Sequence, residues 1–567
     1  MSENRSGFTS KLGVILATVG TAVGLGNIWR FPFILGNNGG GAFLLIYFFC
    51  LVLLGLPVVL AEFTVGRRAQ ANAVDAYKKF TNNKFWSKIG YLGVLAGFLI
   101  MGYYSVVLGW TAEYLFQAIA GNLQGHSPEA YKQMFTDLSG GTFYPILLVV
   151  IVMAITCFII TRGVQSGIEG VSRYLMPLLF ILMLILVGYS FTLDGAGAGL
   201  EFLFYPDFSK VTSRTILEAM GQCFFSLSLG MGCLTTYASY FKKDVNLPKT
   251  AVQIISIDTL VAVLAGLMIF PAVFSFGLEP SEGAGLVYVV LPNVFQQMVG
   301  GQIFAIMFYA LLFIAALTSM ISLLEVVTAY VHETFKLNRT LSAVIITVLV
   351  IIMAVFASLS CGAMPELALF GKSVFDIFDY VSAVILLPLG GMAISIYAGW
   401  IIDEKILYLE FARNNKYAMW LFKAYAFALR YIAPVCIFVV FVASLLNFSS
   451  EKPSLKESYQ KTTTDIEIID LYSFVDSIKL SDGTVIDLTR VETRKDSIKK
   501  YGSMTWYKND KIVDSDSTLV KVPNDTVIYS ASFIQNDIIL VTYKESGRDS
   551  VIILPKETPA QDSLIIN

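Results

Sequence analysis

Residues 20–32 read Gly20-Thr21-Ala22-Val23-Gly24-Leu25-Gly26-Asn27-Ile28-Trp29-Arg30-Phe31-Pro32. The stretch lies in an apolar run, yet it carries three glycines, an arginine and a proline. Glycine weakens a helix interior, and backbone freed from helical bonding at membrane depth persists only where it is buried in protein or lines a cavity. The sixth apolar run has the same character, with Gly230 and Gly232 amid Ser226, Ser228 and Thr235. Taken singly, such a glycine pair reads as close helix packing through small residues. Runs 1 and 6 each open a block of five, however, and that pairing is expected of inverted repeats whose discontinuous helices surround a midplane site.

Outward from that stretch, eleven apolar runs of spanning length are centred near residues 22, 53, 103, 151, 180, 226, 264, 316, 349, 387 and 436. Of the 567 residues, 56% are hydrophobic and 14% charged, and the mean hydropathy is +0.67. Soluble domains carry about a quarter charged residues, so the composition argues against a soluble enzyme. Residues 1–450 hold 25 Lys/Arg and 23 Asp/Glu, whereas residues 451–567 hold 15 and 19. The first part therefore has a membrane protein's composition and the second that of a polar soluble domain. A net charge of −2 gives no reason to expect a nucleic-acid partner. The six cysteines form no CxxC pair and the two histidines, His126 and His332, lie far apart, so neither a disulfide framework nor a zinc site is signalled.

Lys and Arg prefer cytoplasmic loops. With the N-terminus inside, twenty of those in the first part fall inside, four fall outside and Arg30 is intramembrane. The expected location is the cell (inner) membrane, with the N-terminus cytoplasmic and, after eleven crossings, the C-terminal part extracytoplasmic. The first run is followed at once by another, and reads as a retained helix, not a cleaved signal.

The stretch 20–32, with Asn38-Gly39-Gly40-Gly41-Ala42-Phe43, Gly55-Leu56-Pro57 to Glu62, Phe225-Ser226-Leu227-Ser228-Leu229-Gly230, Thr236-Tyr237-Ala238-Ser239-Tyr240 and Leu317-Thr318-Ser319, closely resembles the neurotransmitter:sodium symporter family in its bacterial amino-acid-transporting branch. The resemblance covers roughly residues 8–446. It implies an all-α polytopic fold of eleven transmembrane helices, a 5+5 inverted repeat with helices 1 and 6 broken, occupying residues 1–448. Residues 449–567 lie outside it; their short alternating segments, such as Thr484-Val485-Ile486-Asp487-Leu488 and Ile538-Ile539-Leu540-Val541, suggest a small, mainly-β extracytoplasmic domain, a β-sandwich.

The resemblance implies two sodium ions and no organic cofactor. For the first ion it implies the Ala22 carbonyl, the Asn27 side chain, Ser226 and an oxygen of helix 7, where Asp258 holds the family's amide position. For the second it implies the carbonyls of Gly20, Val23 and Ala315 and the hydroxyls of Thr318 and Ser319. Read alone, Thr318-Ser319 would bond back to its own helix. Chloride-dependent members bind an anion near the first site through groups matched here by Tyr47, Gln222 and Ser226; the Asp258 carboxylate could replace that chloride. An ionisable residue inside a membrane helix is a functional candidate in its own right.

Family members for monoamines carry an aspartate at the position of Gly24, and its absence implies a zwitterionic amino acid. The substrate carboxylate would meet the helix 1 amides around Ala22, Gly24 and Gly26, the Tyr104 hydroxyl and the first sodium. The side chain would lie against Ile100, Phe225, Ser228, Met231, Met320 and Leu323, and Ser226 is a further substrate-binding residue. Methionine adapts its shape, so Met231 would admit a large or aromatic side chain. The outer gate implied is Arg30 with Asp379, and the inner gate Arg5 with Glu333, near Phe8 and Tyr240. Gly167 and Pro177 enclose nine residues at the start of helix 5, where proline weakens the helix.

The function implied is sodium-coupled import of hydrophobic amino acids by alternating access. A nutrient sensor on the same scaffold, with the C-terminal domain as output or docking module for a partner, is the alternative, and proton coupling stays open. A membrane enzyme lacks a catalytic cluster: the intramembrane ionisable groups are Arg30, Glu62 and Asp258.

Overall fold

The computed structural model describes residues 7–447 apart from residues 82, 84, 277–285, 299, 369–371 and 414–418, and beyond them only the backbone of short strands. The chain divides into two compact units, Met1–Ser450 and Glu451–Asn567. Among the described residues of the first unit, nine helices are long and apolar enough to cross a membrane: Gly41–Ala69, Ile89–Ala120, Tyr144–Thr161, Val164–Ser190, Leu247–Ser275, Gly301–Phe335, Arg339–Ser360, Val374–Ile401 and Met419–Leu445. A tenth span is the pair Lys11–Ala22 and Gly26–Asn37, bent by 55°. The sixth apolar run does not form one long helix. It forms two shorter ones, Ser213–Ser226 and Cys233–Ala238, because the residues between them leave helical geometry.

Both breaks are written in backbone angles. The first helix starts where Ser10 caps it, its hydroxyl accepting from the Gly13 amide at 2.9 Å, and it ends at Val23 with an extended ψ of 111°. In the sixth run Ser228, Gly230 and Gly232 all have positive φ, at 53°, 80° and 74°. A Cβ on Gly230 would stand 2.7 Å from the Leu387 carbonyl oxygen, so only glycine gives both the backbone angle and the close approach of the Val374–Ile401 span. Gly93 of Ile89–Ala120 supports the same segment from the other side, with a Cβ position 3.0 Å from the Gly232 nitrogen.

The spans sort by what surrounds them. Ile89–Ala120, Leu247–Ser275 and Gly301–Phe335 are mostly buried, whereas Tyr144–Thr161, Val164–Ser190, Arg339–Ser360 and Met419–Leu445 bury less than half of their apolar windows. On the fourth span the exposed side chains Leu147, Ile151, Ile155 and Phe158 recur at helical spacing, a stripe that suits hydrocarbon and not water. One charge pair is kept inside the bundle: Arg67 and Glu410 are both buried, and the Arg67 guanidinium meets the Glu410 carboxylate and the Val245 carbonyl.

In the second unit Ile538–Glu545 pairs antiparallel with Arg548–Pro555, and Val485–Asp487 with Ser477–Lys479. Ser503–Trp506 pairs antiparallel with Val527–Ser532, Val527–Ser532 with Ile538–Glu545, and Arg548–Pro555 with Leu564–Ile566, so that five of the described strands form one sheet in chain order. The segments between the strands lie outside the described residues.

Candidate substrate and ion site

The two breaks face each other and the middle of the seventh span, Leu247–Ser275. The Asn27 amide nitrogen donates to Asp258 Oδ1 at 2.7 Å, to the Asp258 carbonyl at 3.2 Å and to Ser226 Oγ at 3.0 Å. The Ser226 hydroxyl in turn donates to Asp258 Oδ2 at 2.8 Å, and Asn27 Oδ1 accepts from the Gly24 amide at 3.1 Å. All three side chains are buried. Gln222, one turn before Ser226, donates to the Gly26 carbonyl at 3.0 Å. Its side-chain oxygen and the Tyr47 hydroxyl are buried polar atoms without a hydrogen-bond partner among the described residues. A carboxylate, an amide and a hydroxyl within one hydrogen-bonded cluster form the oxygen-rich donor set that a hard cation takes.

A second oxygen cluster lies between the first and eighth spans. Ser319 Oγ donates to the Val23 carbonyl at 3.3 Å, where the extended ψ turns that carbonyl out of its helix. Thr318 Oγ1 bonds back to the carbonyls of Ile314 and Ala315 at 3.0 and 3.1 Å. The Thr318 side chain also faces the first helix, since a Cβ on Gly20 would stand 3.4 Å from Thr318 Cβ. Gly20, Val23, Ala315, Thr318 and Ser319 are thus brought together.

A small cavity opens beside both clusters. Of the expected contact residues, Ala22, Gly24, Gly26, Ile100, Tyr104, Phe225, Ser228, Met231 and Leu323 line it. Ser226 does not line it, its hydroxyl being held by Asp258 and Asn27; nor does Met320, which is fully buried among packed side chains. Five lining residues went unforeseen as substrate contacts: Thr21, Leu25, Cys233, Ser319 and Ser322. Ser319 and Ser322 were findable, because residues at i, i+3 and i+4 share a helix face with Leu323. Space at one end is set by Gly24, where a Cβ would come within 2.5 Å of Ser319 Oγ and 3.3 Å of the Tyr104 hydroxyl. The Tyr104 hydroxyl accepts from the Leu25 amide at 3.4 Å.

Glu62 was legible as an intramembrane acid but not by its role. Fully buried, it accepts from the Gly230 amide at 2.9 Å, the Thr235 amide at 3.2 Å and the Thr235 hydroxyl at 3.0 Å. The two amides are backbone donors that the broken helix leaves without intrahelical partners.

The gate residues divide. The Arg30 guanidinium lies 4.3 Å from the centre of the Phe225 ring, a cation–π contact over the cavity mouth. Arg30 and Asp379 are both charged neighbours of the Tyr103 hydroxyl. Arg5 lies outside the described residues. Glu333 accepts from the Asn72 backbone and side-chain amides at 2.9 and 3.0 Å. Phe8 packs edge-on against Tyr240 at 6.0 Å and its amide donates to the Tyr240 carbonyl at 3.3 Å. The Tyr240 hydroxyl donates to Glu325 at 2.6 Å, and Glu325 pairs with Arg339. In sequence Arg339 reads as ordinary positive-inside charge, and nothing marks Glu325 as its partner. Glu169, in the turn that opens the fifth span, accepts from the Thr9 amide and hydroxyl at 2.8 and 2.6 Å and anchors the start of the first helix.

The sodium:neurotransmitter symporter family model matches residues 5–133 and 132–469. A sodium-dependent transporter of Bacillus subtilis is 40% identical over 443 residues, 78% of this chain and 98% of that one. A second, from Haemophilus influenzae, is 37% identical over 78% of this chain and 99% of its own. A sodium- and chloride-dependent taurine transporter of Homo sapiens is 26% identical over 67% of this chain and 68% of its own. The crystal structure of MhsT in complex with L-phenylalanine is 44% identical and superposes with a TM-score of 0.73 over 78% of this chain and 100% of that one. Broken first and sixth spans, two oxygen clusters beside the first break and these matches agree, and the chain belongs to the sodium:neurotransmitter symporter family.

Proposed function

We propose that the protein is a sodium-coupled symporter that imports hydrophobic L-amino acids, aliphatic or aromatic, by alternating access and without chloride. The observation that carries this reading is the meeting of Asn27, Ser226 and Asp258 at the two helix breaks, beside a cavity walled by Ile100, Phe225, Met231 and Leu323. A single buried carboxylate there supplies the negative charge that a sodium ion needs. Asn27, Ser226, Asp258 and the Ala22 carbonyl would hold the first ion, and Gly20, Val23, Ala315, Thr318 and Ser319 the second. The substrate carboxylate would lie against Gly24, Gly26 and Tyr104, where Gly24 leaves room and half-helix amides favour an anion. The related MhsT structure contains L-phenylalanine, which supports an aromatic as one substrate.

The same reading places eleven crossings in the cell membrane, with the N-terminus in the cytoplasm and residues 449–567 as a separate extracytoplasmic β domain serving a location or a partner. The excess of Lys and Arg in alternate loops supports that orientation. The test is a thermal-shift screen of the twenty amino acids with and without sodium. A coupled substrate stabilises the protein when sodium is also present. Equal stabilisation by a hydrophobic amino acid in potassium buffer would overturn the coupling.

A further inference from the structure

Three hydroxyls stand together, two of them at the cavity, three residues from Gly24 on the first span and from Ser319 on the eighth. Thr21 and Ser322 line the cavity, and their side-chain oxygens are 2.9 Å apart. The Tyr237 hydroxyl reaches Ser322 Oγ at 2.9 Å. Thr21 Oγ1 also lies 3.3 Å from the Ala17 carbonyl, and Ser322 Oγ 3.0 Å from that of Thr318.

Each hydroxyl has one proton to give and two lone pairs to receive. Four contacts therefore draw on three protons, and no proton is spare whichever way the groups turn. Lone pairs are in surplus. The trio can accept one more hydrogen bond, and it can donate one only by breaking a bond it already makes. Met231 and Leu323 flank it with apolar surface that suits a ring.

We propose that the Thr21, Ser322 and Tyr237 hydroxyls make the site prefer substrates whose side chain ends in a hydrogen-bond donor, a phenol O–H or an indole N–H, over substrates of equal size without one. The proposal rests on the amino-acid reading above, with the substrate carboxylate toward Gly24. A matched donor adds a net hydrogen bond to a spare lone pair, and an apolar side chain of equal size cannot make it.

The experiment is displacement of labelled L-phenylalanine from the purified full-length protein in saturating sodium by L-tyrosine and by 4-fluoro-L-phenylalanine, which is close to tyrosine in size but has no donor. Tyrosine should bind about three- to tenfold more tightly in the wild type. That ratio, taken within each protein, should fall toward one in Ser322→Ala and in Thr21→Val, and persist in Thr21→Ser, which keeps the hydroxyl. A wild-type ratio at or below one overturns the proposal, as does an undiminished ratio in Thr21→Val and Ser322→Ala. If L-phenylalanine itself does not bind in a sodium-dependent way, the amino-acid reading fails instead, and the two failures are distinct.

Discussion

The Asn27 amide donates to Asp258 Oδ1 at 2.7 Å, and this contact ties the break in the first span to the seventh across 231 residues of chain. Its surroundings explain why the carboxylate is tolerated so deep. Asp258 accepts from two side chains, and its own carbonyl from one, so burial does not leave it without donors. Asn27 in turn uses its oxygen to hold the Gly24 amide. The proposed ion site is thus joined to the cavity wall at Gly24 through one side chain, and that link is a physical route to coupled binding.

Asn27→Ala should therefore weaken sodium and substrate binding together. The variant loses an oxygen ligand and the bond to the Gly24 amide, and removes a donor from buried Asp258, which costs about 1–3 kcal/mol. A raised sodium requirement for substrate binding, tenfold or more, is expected in a sodium titration of bound labelled amino acid. Unchanged sodium dependence would show that Asn27 does not hold the ion.

Gly24→Ala tests the cavity end. The added Cβ falls 2.5 Å from Ser319 Oγ and 3.3 Å from the Tyr104 hydroxyl. Ser319 can relieve the clash only by turning away from the Val23 carbonyl, which it meets at 3.3 Å. Affinity for substrate should fall about tenfold or more, as expected for overpacking worth about 1–3 kcal/mol. Isothermal calorimetry in saturating sodium would measure it, and wild-type affinity would disprove the placement of the carboxylate.

Much of this site is readable before any coordinates. Glycines and a proline inside apolar runs mark both breaks, because no packing role accounts for so many helix-weakening residues in two corresponding places. Asp258 stands out as a charge among apolar neighbours. Contacts between side chains distant in sequence are what pattern cannot supply: Glu62 reaches Gly230 over 168 positions, and Thr21 reaches Ser322 over 301. Helix phase explains why Met320 is not a wall residue. Ser319, Ser322 and Leu323 lie on one face, and Met320 is a third of a turn off it. The sixth span fails a test of continuous length because its middle is unwound, the same feature that makes it functional.

Glu62 should matter to stability. In Glu62→Ala the Gly230 and Thr235 amides lose their buried acceptor, at about 1–3 kcal/mol for each. Melting in detergent should drop by several degrees, with sodium-dependent binding impaired because the unwound segment loses its brace. A variant as stable as the wild type would mean that water or a carbonyl replaces the carboxylate.

Removing residues 455–567 should leave transport largely intact. Every proposed ligand and gate residue lies within Met1–Ser450. Uptake into proteoliposomes at a rate within about twofold of the full chain is expected, the range over which surface changes usually act. Lost uptake by a well-inserted truncated protein would make the C-terminal unit part of the mechanism.

The last prediction treats Asp258 as a built-in substitute for chloride. Two sodium ions and a zwitterion bring about two positive charges into a low-dielectric site, where an uncompensated charge costs several kcal/mol. The Asp258 carboxylate, hydrogen-bonded to Ser226 at 2.8 Å and Asn27 at 2.7 Å, offsets one of them. Wild-type uptake should then proceed equally in chloride and in gluconate. In Asp258→Asn that charge is gone, while the side chain keeps nearly the same size. The Tyr47 hydroxyl lies beside Ser226 and Asp258, and Gln222 sits one turn away. With the carboxylate gone, these groups can hold an anion. Uptake by the variant should fall in gluconate and recover with added chloride, saturating as a bound ion does. Chloride dependence in the wild type would refute the assignment, as would full activity of Asp258→Asn in gluconate.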